Sequence, residues 1–303
     1  MRTRPILLAA LAAAAAGSFV LAACSSLPKE EIERQLMALP KNHAAAALGY
    51  STLDASISLA GKSRPVKFNW LRAGTPGKPR LLLIHGTPGT ALTWSELIFG
   101  APGFEGLASD FDIYALEVIG HGGARTELSE YSFQICADYI RAFLDTLDLR
   151  DVCIVGQSYG GEFAWRAALD TPQRISRVVL VDSAGMPRND DEWLPEEVKL
   201  RNWPGASLGY LLNSRERIRG ALQPHFQTAV ADERVEEMFL NCENADNWGA
   251  VVDLARDENG TRSLELSKLT QPTLLVWGEL DIASRSRALQ SASKPRFPAR
   301  DSR

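Results

Sequence analysis

Residues 156–160 read Gly-Gln-Ser-Tyr-Gly and place one hydroxyl between small neighbours. The apolar run at 152–156 leads into them, and a helical pattern over 161–169 leads out. Ser158 therefore falls on a tight strand-to-helix turn, where Gly156 and Gly160 leave room for the chain to reverse. A side chain on such a turn stands clear of the sheet edge. A hydroxyl held there can attack a carbonyl carbon, provided that a base takes its proton and fixed donors receive the oxygen that becomes negative.

Donors are expected from a second turn. Residues 85–89 read His-Gly-Thr-Pro-Gly and follow the apolar run 81–84. The backbone N–H of Thr87 would pair with that of Tyr159 beside Ser158 and form an oxyanion hole. His85 and Gly86 are expected to shape this turn, with His85 serving no catalytic base function. A carboxylate is available after the run 272–278, where Trp-Gly-Glu-Leu-Asp places Asp281 near the same sheet edge. Asp281 is the preferred acid to orient an imidazole, Glu279 the weaker candidate, and Asp182 a second possible acid better suited to a structural strand end. His121, in the loop 117–122, reads as a loop residue.

The elements that would position these groups follow from the apolar pattern. Five short apolar runs, at 80–85, 112–118, 152–156, 177–182 and 272–278, have strand length and no alternation. Such runs are buried on both faces, which belongs to a parallel sheet covered by helices. A run at 66–70 alternates instead and reads as a half-buried strand. Between the runs, Cys136, Tyr139, Ile140, Phe143, Leu144 and Leu147 keep a helical period. Strand and helix alternate, so the fold class is α/β with a mostly parallel central sheet. Residues 187–268 break this rhythm and read as a helical insertion between two sheet strands, with Trp193, Trp203, Met238, Phe239 and Trp248 in its own core.

Composition narrows the field. The 303 residues are 45% hydrophobic and 23% charged, with a formal charge of -4. That acidic balance argues against nucleic acid as a partner. No Cys/His cluster suggests zinc, and no nucleotide or flavin motif is present, so no cofactor is expected. Cys136, Cys153 and Cys242 are expected as small buried residues.

The N-terminus reads as an export and anchoring signal. Arg2 and Arg4 precede an uncharged, Ala- and Leu-rich run up to Cys24, long enough that an uncleaved transmembrane anchor is the competing reading. Leu21-Ala22-Ala23-Cys24 resembles a bacterial lipobox, which implies cleavage before Cys24 and acylation of its thiol. The expected organisation is a signal peptide at 1–23, a lipidated N-terminus and polar spacer at 24–50, and a core at 51–186. The cap would follow at 187–268, the last core strand at 269–283, and an atypical tail at 284–303. By resemblance, Ser25 after the cysteine favours the outer membrane, with the protein facing the periplasm of a bacterial cell envelope.

Together the 85–89, 156–161 and 277–281 segments, in that order, resemble the α/β-hydrolase superfamily over roughly residues 66–283. The resemblance implies a helical cap and, with Ser at position 158, the esterase, lipase, C–C hydrolase and haloperoxidase branches rather than those with Asp there. It also implies a catalytic His some tens of residues after the acid. Only 22 residues follow Asp281, and none is His. The four histidines are His43, His85, His121 and His225, and only His225, in the cap segment, is a conceivable substitute. The tail is expected to be truncated or out of frame, with the last strand and helix missing. The expected function is hydrolysis of carboxylic esters through an acyl-enzyme, impaired by the absent histidine. The alternatives are a non-catalytic scaffold on the same fold, or a C–C hydrolase, peptidase or haloperoxidase.

Overall fold

The computed structural model describes residues 26–128, 130–185, 209–258 and 260–278. Cys24, Glu279 and Asp281 lie outside them, as do Trp193, Trp203 and the ring of His225. One sheet organises the chain. Its strands are β1 (Tyr50–Leu59), β2 (Lys62–Gly74), β3 (Arg80–Ile84), β4 (Asp112–Leu116), β5 (Arg125–Thr126), β6 (Val152–Gln157), β7 (Ile175–Val181) and β8 (Thr273–Val276). The order across the sheet is β1-β2-β4-β3-β6-β7-β8, with β5 paired to β2. β4, β3, β6, β7 and β8 run parallel, while β1 and β2 form an antiparallel hairpin at one edge.

That hairpin closes through Ala60 and Gly61, at φ 49° and 73°. Two successive left-handed residues match the twist of the flanking strands, as a two-residue hairpin requires.

β3 and β4, in the middle of the sheet, bury both faces because their apolar runs are continuous, whereas the 272–278 run, expected to be buried, forms the edge strand β8 and leaves Leu274, Leu275 and Val276 exposed. Leu82 and Ile84 join Phe68, Tyr139, Phe143, Ile154 and Trp165 on one face. That side is covered by α4 (Phe133–Thr146) and α5 (Tyr159–Asp170). Leu81 and Leu83 point the other way, toward Leu71, Ile113, Leu92 and Ile98. That second face meets α1 (Lys29–Met37), α2 (His43–Leu48) and α3 (Ser95–Phe99).

Two sequence expectations are corrected. The segment after Cys24 is no loose spacer: Ile32 and Leu36 of α1 are buried in the second cluster, so the helix is docked on the sheet. Cys153 is on a core strand but only half-buried, because it packs at the margin of the second cluster rather than inside it. Cys136 and Cys242 are buried, and all three thiols are free.

After β7 the described chain resumes with α6 (Arg215–Leu222), α7 (Asp232–Cys242) and α8 (Ala245–Asp257), then a 3-10 stretch at Thr261–Lys268. α7 docks on the body through a buried carboxylate. Glu237 takes Lys41 at 2.5 Å, Arg234 at 3.0 Å and the Thr93 hydroxyl at 3.3 Å. These two cations outdo the cost of burial and hold Glu237 below the usual carboxylate range. Trp248 packs against Tyr210 with the rings tilted by 48° and their centres 6.3 Å apart. Among the described residues no helix is long and apolar enough to cross a membrane.

Candidate active site

Ser158 sits between β6 and α5 at φ 54°, ψ −125°. An L-residue at positive φ is strained and persists only where its surroundings hold it. Three backbone hydrogen bonds do so. The Ser158 N–H donates to Val181 O at 3.0 Å, and the Ser158 carbonyl accepts from Gly161 N at 2.9 Å and Ala184 N at 3.0 Å. Its side chain is partly exposed. The turn is possible because its glycines clear backbone atoms: a Cβ on Gly156 would lie 2.3 Å from the Gly160 carbonyl oxygen.

The 85–89 turn lies directly against this one. A Cβ on Gly160 would meet His85 O at 2.3 Å, and a Cβ on Gly86 would meet the Ser158 Cβ at 3.0 Å. The two segments, about seventy positions apart in the chain, thus share one contact surface because β3 and β6 pair in register, Ile84 opposite Gly156. Tyr159 begins α5, so the positive end of that helix also faces the region of Ser158.

His85 is buried and both its ring nitrogens are occupied. Nε2 accepts the Val118 N–H at 3.0 Å, so Nδ1 carries the proton and donates to the Gly86 carbonyl at 2.7 Å. Burial pushes its pKa down to about 4, which keeps it neutral. The Gly86 carbonyl and the Thr87 N–H belong to one peptide plane and point in opposite directions. Holding the carbonyl therefore aims the Thr87 N–H, which has no acceptor among the described residues.

His121 is likewise buried and committed: Nδ1 faces Ile119 O at 3.3 Å and Nε2 faces the Thr87 hydroxyl at 2.9 Å. Burial, with His85 nearby, pushes it down to about 3. His43 is exposed at the start of α2. Neither buried ring is therefore available to take a proton from Ser158.

Asp182 has φ 43°, and its Oδ1 accepts the Gly278 N–H at 2.7 Å while its own N–H donates to Val276 O at 2.9 Å. It fastens the ends of β7 and β8, as a strand-end residue should. It also fixes the chain just before residues 279–281.

Three buried acids had no sequence signal. Glu258 accepts the Tyr159 hydroxyl at 2.7 Å, and the Tyr159 ring packs on Phe133 at 5.0 Å, so the residue after Ser158 is tied down at its tip. Glu162, one turn into α5, pairs with buried Arg166, yet burial pushes it up to about 7. Glu117 accepts Asn69 Nδ2 at 2.7 Å and Gly123 N at 2.5 Å, and burial pushes it up to about 7 as well. Its partners come from β2 and from six residues on, a combination that only folding reveals. Among the described residues no group of three His, Cys, Asp or Glu side chains is placed to hold a metal ion.

Comparison with known proteins agrees with this geometry. A family described as alpha/beta hydrolase fold matches residues 79–300. An uncharacterised protein of Mycobacterium bovis is 33% identical over 111 residues, 37% of this chain and 31% of that protein. The chain therefore spans under a third of that relative's length. A poly(3-hydroxyalkanoate) depolymerase of Ectopseudomonas oleovorans is 39% identical over 111 residues, 36% of this chain and 38% of that protein. The crystal structure of a membrane phospholipase A, a bacterial virulence factor, superposes with a TM-score of 0.63 at 22% identity. It covers 96% of this chain and 86% of that one. With its strand order, its strained Ser158 turn and a family match over most of its length, the chain belongs to the alpha/beta hydrolase fold family.

Proposed function

We propose that the protein is a serine hydrolase acting on carboxylic esters, with Ser158 as nucleophile. The observation that carries the reading is Ser158 itself, held at positive φ with Gly86 of the second turn against its Cβ. In this reading Ser158 Oγ bonds to the ester carbonyl carbon, and the carbonyl electron pair moves onto oxygen. The N–H groups of Thr87 and Tyr159 receive that oxygen. Collapse breaks the bond to the alcohol oxygen, which takes up, by way of water, the proton that Ser158 Oγ loses on attack, and leaves an acyl-enzyme that water hydrolyses to the acid.

The base is the weak point. The rings of His85 and His121 are committed elsewhere. Asp281 would orient an imidazole, and neither His85 nor His121 can be that imidazole. Ser158 would then react slowly, helped mainly by the hole, and turnover is expected to be low. The names of the depolymerase and phospholipase relatives refer to a polyester and to phospholipids, which favours an ester with an apolar acyl part.

The test is labelling with a fluorophosphonate. The wild type should be modified on the peptide carrying Ser158, and Ser158→Ala should not be. Absence of labelling in both would support a second reading, a non-catalytic scaffold, which the committed histidines favour. An ester series of increasing acyl length, set beside an amide and a C–C substrate, separates esterase from peptidase and C–C hydrolase.

Cys24 is proposed as a lipid anchor that holds the protein to the bacterial envelope. Its check is incorporation of labelled palmitate that Cys24→Ala abolishes.

A further inference from the structure

The chemistry proposed for Ser158 needs the Thr87 N–H to stay aimed at one point, and residue 87 carries a second polar group, its hydroxyl. The Ile119 carbonyl can only accept, so the His121 proton sits on Nδ1, 3.3 Å away. Nε2 is then a lone pair, and the Thr87 hydroxyl at 2.9 Å must donate to it. One neutral tautomer satisfies both contacts, and the ring is 1% exposed, so water does not compete.

The next loop therefore grips the 85–89 turn twice. Val118 N–H holds the His85 ring, and His121 holds the Thr87 side chain. The rings of His85 and His121 meet edge to face, 5.3 Å apart. The gripping loop is itself fixed, because Glu117 takes the Gly123 N–H at its far end. With the Thr87 side chain held and the Gly86 carbonyl held, the peptide between them has little freedom to rotate.

We infer that His121 is a positioning residue for the oxyanion hole, acting through the Thr87 hydroxyl. The inference rests on the proposed role of Ser158 and adds a function for a histidine that is not a base. It also explains why position 87 carries a hydroxyl: valine has the same shape and would leave Nε2 without a donor.

The experiment uses the full-length chain and a fluorophosphonate, reading the first-order inactivation constant and the inhibition constant separately. Thr87→Val and His121→Phe should each lower the inactivation constant about tenfold or more, since loss of a whole hole donor costs about 10^2 to 10^3. The inhibition constant should stay within about twofold, because reagent binding does not need the aimed N–H. The double variant should be no slower than the slower single one, as the two changes break the same bond. Thr87→Ser and His121→Gln restore a donor and an acceptor and should recover most of the loss. Independently of labelling, the Nε2 nitrogen resonance of His121 should shift in Thr87→Val.

Wild-type labelling rates in Thr87→Val, additive losses in the double variant, or an unmoved resonance would overturn the inference while leaving Ser158 as nucleophile. Wild-type protein that Ser158→Ala matches in failing to label would remove the nucleophile and the inference with it. His121→Phe fills a buried site with a bulkier ring, so Thr87→Val, nearly isosteric, carries the test if that variant does not fold.

Discussion

The α carbon of Gly160 and the carbonyl oxygen of His85 are packed so closely that a methyl group on Gly160 would lie 2.3 Å from that oxygen. The same methyl would stand 2.4 Å from the Ile84 carbonyl. Both obstacles are backbone atoms at the end of a central strand, and neither can step aside as a side-chain tip would. Gly160→Ala should therefore cost about 3 kcal/mol or more, the upper end for overpacking. Urea unfolding measures it. A variant as stable as the wild type would mean that the two turns are not in contact.

How far this arrangement was legible beforehand depends on the kind of constraint. The parallel strands could be read because burial on both faces demands unbroken apolar runs such as 81–84 and 152–155, with no other strong pattern to compete. The turn at Ser158 could be read because it demands glycine at fixed positions. The β1 strand gives a weaker signal: Leu53, Ala55, Ile57 and Leu59 do alternate, but Ser and Asp between them lower the local hydrophobicity. α1 reads as a spacer because five of its nine residues are charged and its apolar side rests on little more than Ile32 and Leu36. The buried acids were out of reach for another reason. Glu237 meets Lys41, and Glu117 meets Asn69, across separations that no local spacing encodes.

Leu36 tests whether α1 is part of the folded body. It is 1% exposed and lies in the cluster that holds Leu71, Leu81 and Leu240. Leu36→Ala removes buried methyl groups and leaves a cavity, a change that costs about 2–5 kcal/mol in cores. The expected result is a lower urea midpoint together with faster proteolysis within residues 29–37. An unchanged midpoint would show that the helix is attached without contributing to the fold.

The β8 strand carries a different liability. Leu274, Leu275 and Val276 are 58%, 44% and 44% exposed, and among the described residues β8 pairs only with β7. An apolar strand with an open edge is a template for pairing with another chain. Leu274→Lys places a charge on that edge, where a surface change should move stability by only about 0.5 kcal/mol. Light scattering at rising protein concentration should show less association for the variant. Equal scattering would mean that β8 is not the sticky edge.

Glu117 makes a prediction about pH whose sign can be worked out. Its pKa in the folded protein is about 7, raised from 4.5 by burial, so between those values the folded state keeps a proton that the unfolded chain has lost. Stability from this group is full at low pH and falls as pH rises toward 7, by about 1.4 kcal/mol per pH unit. His85 and His121 act oppositely. Their folded values, about 4 and about 3, lie below 6.5, so their contribution is full above 6.5 and is lost as pH falls toward 4 for His85 and toward 3 for His121. Across the middle of this window the groups offset one another, and Glu162, also near 7, adds to the Glu117 side. Glu117→Gln keeps an oxygen for Asn69 and Gly123, turns the bond with the Tyr50 hydroxyl into one to an amide, and removes the titration. Relative to wild type, the variant should gain stability steadily between pH 5 and pH 7, by roughly 2–3 kcal/mol in all. Urea midpoints at half-unit pH steps provide the measurement. Parallel curves for the two proteins would show that Glu117 is already ionised in the folded state, and that its bonds to the 118–123 loop are stronger than its burial.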